Sequence, residues 1–520
     1  MREKIIFLLL YFLISSLAFS QVKPEFIDIT WGKNKFHQRK YTLRSIHKTA
    51  QHILAVKSKT SGTRHEELVL ERLNDELSVN SPVKLDISYL NKPREYEFII
   101  ESGNQIHIFT SFLNEKQKKN YLFVQSLNPV TLTMNNDIQK ICEIPVQSKY
   151  NKGSFHYAVS EDTSKILIFK SYPYHKRKHE KFGFLVFDSN FSKILQKETE
   201  LPYNDELFKM ERIKVDKSGN IYVLAVVYKK KVRDKRHGKP NYDYRLLAYT
   251  GNGTKYNEYS IGFNDYFISD MQFEADGQGN IICGGFYSEK ESFSIKGTFI
   301  LTIDTKAGHL RNVHYQRFKK NFLTLFMKDK KAKRGKELYE YDLNNFILRK
   351  DGGIILTAEQ YYMNVAAPKY IEGNVNRRRS TTYYYNYNDI IVVNINPDGS
   401  IKWTKKIRKR QITTNDRGLN SSYFFTYYKD KMYFVFNDNP KNLYIIDAKR
   451  TYNFSKSSEV LTALVVMDME GNLSKYALFS SFESNIVLRP RIFKKINPAE
   501  FIIYGQKNNW ERYARMEIVE

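Results

Sequence analysis

Cysteine is almost absent, with two in 520 residues. That excludes a disulfide-stapled scaffold and any cysteine-rich metal cluster. Glycine and proline are modest, at 24 and 13, which excludes collagen-like and linker-like chains. Tryptophan occurs three times, at Trp31, Trp403 and Trp510, few for a protein that holds sugars on indole platforms. Acidic residues are in deficit: 56 Asp and Glu face 83 Lys and Arg, a net charge of +27. Motifs that carry chemistry are missing as well. There is no His-Glu-x-x-His zinc helix, no Gly-x-Ser-x-Gly elbow and no P-loop. What the chain has in quantity is aromatic mass, 38 Tyr and 35 Phe, within a 42% hydrophobic composition that excludes disorder.

The first residues read as an export signal. Arg2 and Lys4 form a positive start, Ile5 to Ile14 is an unbroken apolar run softening to Phe19, and Ala18 and Ser20 are the small residues before Gln21. The stretch from Ile5 to Phe19 is shorter than the about 20 residues a membrane span needs. No cysteine follows the cleavage point, so a lipid-anchored form is not expected. No later stretch is apolar enough to span a bilayer. The expected mature chain starts near Gln21 and is periplasmic or extracellular.

The rest is a strand repeat. Short β-branched and aromatic runs alternate with Asp/Asn/Gly turns, and long helical periodicity is scarce. The clearest unit spans Met210–Val215, the turn from Asp216 to Asn220, Ile221–Tyr228, Tyr244–Thr250, the turn from Gly251 to Gly253, and Tyr256–Phe263. That makes four strands, a to d. The same grammar recurs from Met271, Phe346 and Tyr423, and more faintly from Tyr41, Tyr96 and Phe155. The last copy, Pro490–Lys495, Phe501–Gly505 and Tyr513–Val519, lacks a fourth strand, while Glu25–Trp31 is a strand without a sheet. Joined, they complete one blade, which is how a propeller closes its ring. The expectation is an all-β chain: one β-propeller of eight four-stranded antiparallel blades, with seven as the alternative. It fills residues 21–520, with long loops at 174–182, 229–241, 319–343, 363–387 and 437–459. Cys142 and Cys283 fall in blades too far apart to bridge.

With its Asp216-Lys-Ser-Gly219-Asn220 and Asp276-Gly-Gln-Gly279-Asn280 turns, the chain resembles secreted β-propeller proteins with D-x-x-G-N turns. In its Tyr-, Lys- and Asn-rich style it is similar to periplasmic propellers of Bacteroidota, some of which accompany outer-membrane secretion or uptake machinery. The resemblance implies an exported binding propeller and brings no functional residues with it.

In such a blade the b–c and d–a connections emerge on one face, the a–b and c–d turns on the other. The long, basic insertions are all of the first kind. They hold Lys176, Arg177 and Lys178; Lys229, Lys230, Lys231, Arg233 and Arg236; Lys330, Lys331 and Arg334; and Arg377, Arg378 and Arg379, the last set beside Tyr383, Tyr384 and Tyr385. Gathered like charge raises the local potential and steers acidic partners, and Tyr and Arg dominate contact hot spots. A solvated, solubilising surface is the plainer reading, and the tyrosines equally prolong strands into a raised hairpin. The expected partner is an acidic or membrane-associated envelope protein, with an acidic glycan or lipopolysaccharide as alternatives. Export argues against nucleic acid.

No cofactor, metal or catalytic set emerges. His175 and His179 lie among lysines, which repel a cation. Asp216, Asp276, Asp351 and Asp398 lack the run of oxygen ligands a calcium loop needs and read as turn residues. Two functions stay open: a non-catalytic docking subunit of an envelope complex, or a carbohydrate-active propeller acting on an acidic polysaccharide, whose carboxylates would converge only in the central channel.

Overall fold

The computed structural model describes residues 23–37, 41–49, 51–60, 66–80, 82–102, 105–366, 381–443, 450–455 and 459–519. The export signal and the Arg377 to Arg379 triplet lie outside the described residues. Strand dominates at 61% against 3% helix, in eight blades arranged in a ring.

The second strand of a blade shows why these segments are strands. In blade 4, Ile221–Tyr228 is apolar at nearly every position because both its faces are covered. Successive side chains point to opposite faces of the sheet, so Val223 packs toward blade 3 while Leu224 packs toward blade 5. The same split recurs round the molecule. Eight apolar clusters each join two neighbouring blades, from blades 1 and 2 round to blades 8 and 1. Packing on both faces of every sheet is what holds the ring.

The expected blades 4 to 7 appear with strand ends moved by a few residues. Blade 4 is Phe208–Val215, Ile221–Tyr228, Tyr242–Thr250 and Lys255–Ile261, in that order across the sheet. The three faint copies are complete blades too: Thr42–Lys48, Glu95–Ser102 and Ser154–Val159 are their inner strands. The turns follow from side-chain chemistry. The Asp216 carboxylate accepts the N–H groups of Ser218 and Asn220, both at 2.9 Å, and the Asn220 amide at 2.8 Å, while Gly219 takes φ +81°. Asp276 and Asp468 repeat the arrangement. Their carboxylates are committed to the turn itself.

The insertions are more ordered than loops. In blade 6 the second and third strands run on as Ile354–Ala366 and Thr382–Ile395, so the described ends of 363–387 are the arms of a raised hairpin. The connection at 319–343 contains two short helices, Lys320–Leu323 and Asp329–Lys333, and ends in strand Tyr341–Leu348. The 174–182 segment is half strand, since His179–Asp188 begins inside it. At 437–459 a 3-10 turn, Pro440–Leu443, follows strand Lys431–Asp438. Cys142 and Cys283 are buried and free. Gly285, two residues after Cys283, is required by space: a Cβ there would lie 2.1 Å from the Asp270 carbonyl oxygen.

Closure is as expected. Ile27–Trp31 is antiparallel to Trp510–Ile518, pairing Ile27 with Ile518 and Trp31 with Ala514. Blade 8 also has a divided inner strand, Val487–Leu488 and Lys494–Lys495, and an extra pairing of Lys35–Phe36 on the Trp510 strand. Behind this sheet sits charge the sequence did not flag. Lys57 of blade 1 lies between Glu71 of its own blade, at 2.9 Å, and Glu511 of blade 8. His37 meets Glu511 at 2.9 Å and the Tyr504 hydroxyl donates to it at 2.7 Å. Lys57, Glu71 and Glu511 are all buried. Burial alone would raise the Glu511 carboxyl, but the hydrogen bonds from His37 and Lys57 and the Lys57 charge outweigh it and hold it at about 2.

Lys57→Met removes the cation shared by two buried carboxylates, leaving Glu71 with Lys35 and Glu511 with His37, and is expected to cost about 3–5 kcal/mol in urea denaturation. Glu511 is depressed from 4.5 to about 2, so its contribution is complete above the ordinary carboxylate range and vanishes as pH falls toward the folded value. The stability gap between the native chain and Glu511→Gln should therefore narrow steadily as the pH is lowered from neutral to about 2.

Candidate binding face

Antiparallel order within each blade places every b–c and d–a connection at one end of the ring. The basic residues singled out from sequence stand there, Arg377, Arg378 and Arg379 lying outside the described residues. Lys176, Arg177 and Lys178 are exposed in the third blade's connection, with Lys176 3.7 Å from Glu206. Lys229, Lys230, Lys231 and Arg233 are exposed in the fourth, and Arg236 is half-buried in a two-residue hairpin, Lys235–Arg236 against Lys239–Pro240. Lys229 has an ion pair with Asp243 at 3.3 Å. Lys330 and Lys331 ride on helix Asp329–Lys333, Arg334 follows it, and all three are exposed. Tyr383 and Tyr384 are exposed and Tyr385 half-buried on the raised hairpin, where they do prolong a strand.

These connections are tied to one another. Strand Ser294–Ile295 of the blade 5 connection pairs with Leu338–Tyr339, which lies between blades 5 and 6. The buried Glu337 carboxylate accepts the Ser288 hydroxyl at 2.6 Å and the Glu289 N–H at 3.1 Å. Asp234 of the basic blade 4 segment accepts the Ser292 hydroxyl of blade 5. Lys406 donates to the Leu325 carbonyl at 3.0 Å and lies 4.4 Å from the centre of the Phe326 ring. Arg491 of blade 8 donates to the carbonyls of Arg417, at 3.0 Å, and Gly418, at 2.8 Å. Below them, the fully buried Lys409 meets Glu359 at 2.6 Å, and the Ser422 hydroxyl donates to the same carboxylate at 2.6 Å. From blade 4 to blade 8 the connections are stitched together, which fixes the backbone that carries these exposed cations.

Charge is segregated between the two ends. The a–b and c–d turns carry more acid than base among the described residues, with Asp75, Glu76, Asp137, Glu161, Asp162, Asp468 and Glu470 set against few lysines. Exposed apolar side chains are segregated too, and sequence reading missed this. Phe36, Leu90, Tyr150, Tyr174, Val232, Phe293, Leu325, Tyr339, Leu419, Phe482 and Trp510 all stand on the basic end, beside the hairpin residues Met363 and Val365. At the acidic end Val130 is the exposed large apolar residue within a turn, with Ile194, Tyr256, Leu473 and Val519 at strand ends, while Tyr157, Val313 and Tyr315 are exposed within strands, among the described residues. The available signal was a lone apolar residue inside a polar turn, as in Lys231-Val232-Arg233.

A carboxyl pair was missed as well. Asp205 accepts the His175 N–H at 2.6 Å and donates its own N–H to the Lys178 carbonyl at 2.9 Å. Burial, and then the neighbouring Asp205, push Glu180 up to about 8. The two sit 25 positions apart, so adjacency in sequence gave no hint of them.

Two hollows complete the picture. One of about 360 Å³ opens among the inner strands of blades 6 to 8, lined by Asn344, Asn345, Tyr423, Arg491 and the stacked Phe424 and Phe493. A groove of about 1300 Å³ crosses the acidic end of blades 3 to 5, bounded by Asp162, Asp216, Lys217 and Lys306. On the inner strands, Asp270 of blade 5 accepts the Leu343 N–H of blade 6 at 2.9 Å and faces Arg212 of blade 4 at 3.7 Å. Asp342, raised first by its own burial and then by Asp270, reaches about 6. Among the described residues no three His, Cys, Asp or Glu converge as a metal-holding group, and no helix is long and apolar enough to cross a membrane.

No protein-family model matches the sequence, and no curated relative matches it. Among solved structures, the chain is similar to the WD40 domain of SCAP from fission yeast, at 9% identity and a TM-score of 0.43, over 96% of this chain and 97% of that one. It is similar to the β-propeller domain of the Trilobed protease from Pyrococcus furiosus, at 14% identity and a TM-score of 0.34, over 86% and 97%. It is also similar to an α-L-arabinanase from Penicillium chrysogenum complexed with arabinobiose, at 11% identity and a TM-score of 0.31, over 64% and 92%. Likeness this distant carries no argument about ligand or activity.

The Glu180 pair generates a pH test. Its folded value of about 8 stands above the ordinary 4.5, so the stability linked to its proton is present at low pH and is lost as pH rises toward 8. Glu180→Gln should melt ever higher relative to the native chain as the pH is raised from 5 to 9, read as the thermal midpoint at each pH.

Proposed function

We propose that the protein is an exported, non-catalytic propeller that docks an acidic partner of the cell envelope through its basic face, as a subunit of an outer-membrane secretion or uptake complex. The observation that carries this reading is the segregation of charge. Basic residues from connections far apart in sequence share one end of the ring, while the other end carries acid. A field of one sign on one face turns an approaching anion toward that face and raises its arrival rate. The stitching of the connections supports the reading too, since little ordering is left to be done on binding. The periplasmic or extracellular location rests on the Arg2 to Gln21 signal.

Immobilised polyglutamate serves as the probe of an acidic partner. Replacing Lys229, Lys230, Lys231 and Arg233 with alanine should move elution to clearly lower salt, with the thermal midpoint unchanged, because exposed charges contribute little to stability. Retention should weaken with salt, whose screening length is roughly 8 Å at physiological strength. Lys217→Ala with Lys306→Ala, on the opposite face, is the control. Equal loss per charge from both faces would leave only net charge, and the reading would fall.

The carbohydrate-active reading has one observation in its favour, the carboxylates Asp270 and Asp342 on neighbouring inner strands, with Asp342 held at about 6. A raised carboxyl beside a second one is the pairing glycoside cleavage uses. New reducing ends released from an acidic polysaccharide by the native chain, and lost in Asp342→Asn, would put this reading in place of the first.

A further inference from the structure

We propose that the basic face docks on an anionic phospholipid surface, its apolar tips entering the headgroup layer. This rests on the reading of that face as the docking face and names its partner. The carrying observation is the placement of Phe36, Leu90, Tyr150, Val232, Phe293 and Phe482. Each stands in a different connection of the same end, so the apolar contacts are spread round the ring instead of forming one patch.

A protein partner is gripped at a few anchors clustered near the centre of a contact. Here the centre is the mouth of the channel, and the apolar groups stand around it in separate connections, Val232, Tyr150 and Phe482 with a lysine or arginine beside them. Val232 lies between Lys231 and Arg233, and the Lys149 ammonium covers Tyr150 at 4.9 Å from its ring centre. The Lys507 ammonium does the same for Phe482 at 4.8 Å. Exposed apolar side chains at the end of the ring that carries the cations match a lipid surface, apolar a few ångströms down and negative above. Trp510, edge-on to Phe36 with ring centres 6.2 Å apart, is the residue type that favours such an interface.

Leu90 is the most telling of the six. It occupies the turn of the small hairpin Ser88–Tyr89 and Lys92–Pro93, with φ +50° followed by φ +58° at Asn91. Asn or Gly is the residue that geometry favours. A leucine there adopts an uncongenial backbone and is 71% exposed, so neither local conformation nor the core accounts for it.

The test is sedimentation of the mature chain from Gln21 with vesicles of phosphatidylcholine alone, or with about a third phosphatidylglycerol. The native chain should sediment with the anionic vesicles and stay in solution with the neutral ones. Combining Leu90→Asn, Tyr150→Ser and Phe482→Ser should weaken anionic-vesicle binding about tenfold or more, with the thermal midpoint and the polyglutamate elution unchanged. If the triple variant binds vesicles as the native chain does, the tips do no inserting and the proposal falls. If the native chain ignores anionic vesicles but is held by polyglutamate, the lipid proposal falls and the acidic-partner reading stands. If neither holds it, both fall.

Discussion

A ring of sheets gains its stability only when it closes. Each blade here is apolar on both faces, and each face is buried by one neighbour, so an open ring would leave two whole sheet faces in water. Ile27–Trp31 on Trp510–Ile518 is the contact that prevents this. The packing at the last junction, with Ile502, Tyr504 and Tyr513 against Leu43, Ile46 and Ala55, exists only because the two ends of the ring are brought together. Since closure consumes both faces of every sheet, the surfaces left free are the two ends and the outer strands. Sequence variation that serves binding is thereby channelled into connections.

The buried charge at that junction adds selectivity to closure. Lys57, Glu71, Glu511 and His37 satisfy one another only when blade 8 meets blade 1 in register, with Lys35 reaching Glu71 at 2.8 Å from the connection between them. Such a cluster adds little over an apolar contact when complete and penalises every misassembly that leaves part of it unpaired. It defines which blades meet, where apolar packing alone is tolerant of the partner.

Much of the fold is legible in the sequence because its signals are local. A doubly buried strand reads as an uninterrupted apolar run, as in Ile221–Tyr228. An Asp-x-x-Gly-Asn turn states its own hydrogen bonds. The order of strands then assigns every connection to a face without any tertiary information. What was illegible is long-range. Nothing near Lys57 announces Glu511, 454 positions away, and nothing near Glu180 announces Asp205. The short helices of 319–343 are one-turn elements whose burial of Phe322 and Leu323 against blades 5 and 6 decides them, not their propensity. The basic set was visible because charge is a property of composition. The apolar tips were not, because a lone leucine or phenylalanine reads as core until the structure shows it facing outward.

Closure by a strand from one end of the chain also sets a schedule. Ile27 pairs with Ile518 across nearly the full length, so the blade they share is unfinished until all seven others have been translated and, for an exported chain, threaded through the translocation channel. Contacts this remote in sequence carry the largest loop-closure entropy and form late. Until then Ile27–Trp31 is a strand without a sheet, and the opposite end of the growing array shows an unpaired edge. Such edges are where chains associate wrongly with one another. The architecture that completes its last blade only when both chain ends meet therefore concentrates the hazard into its final step, and places a need for holding factors at that moment of the protein's life.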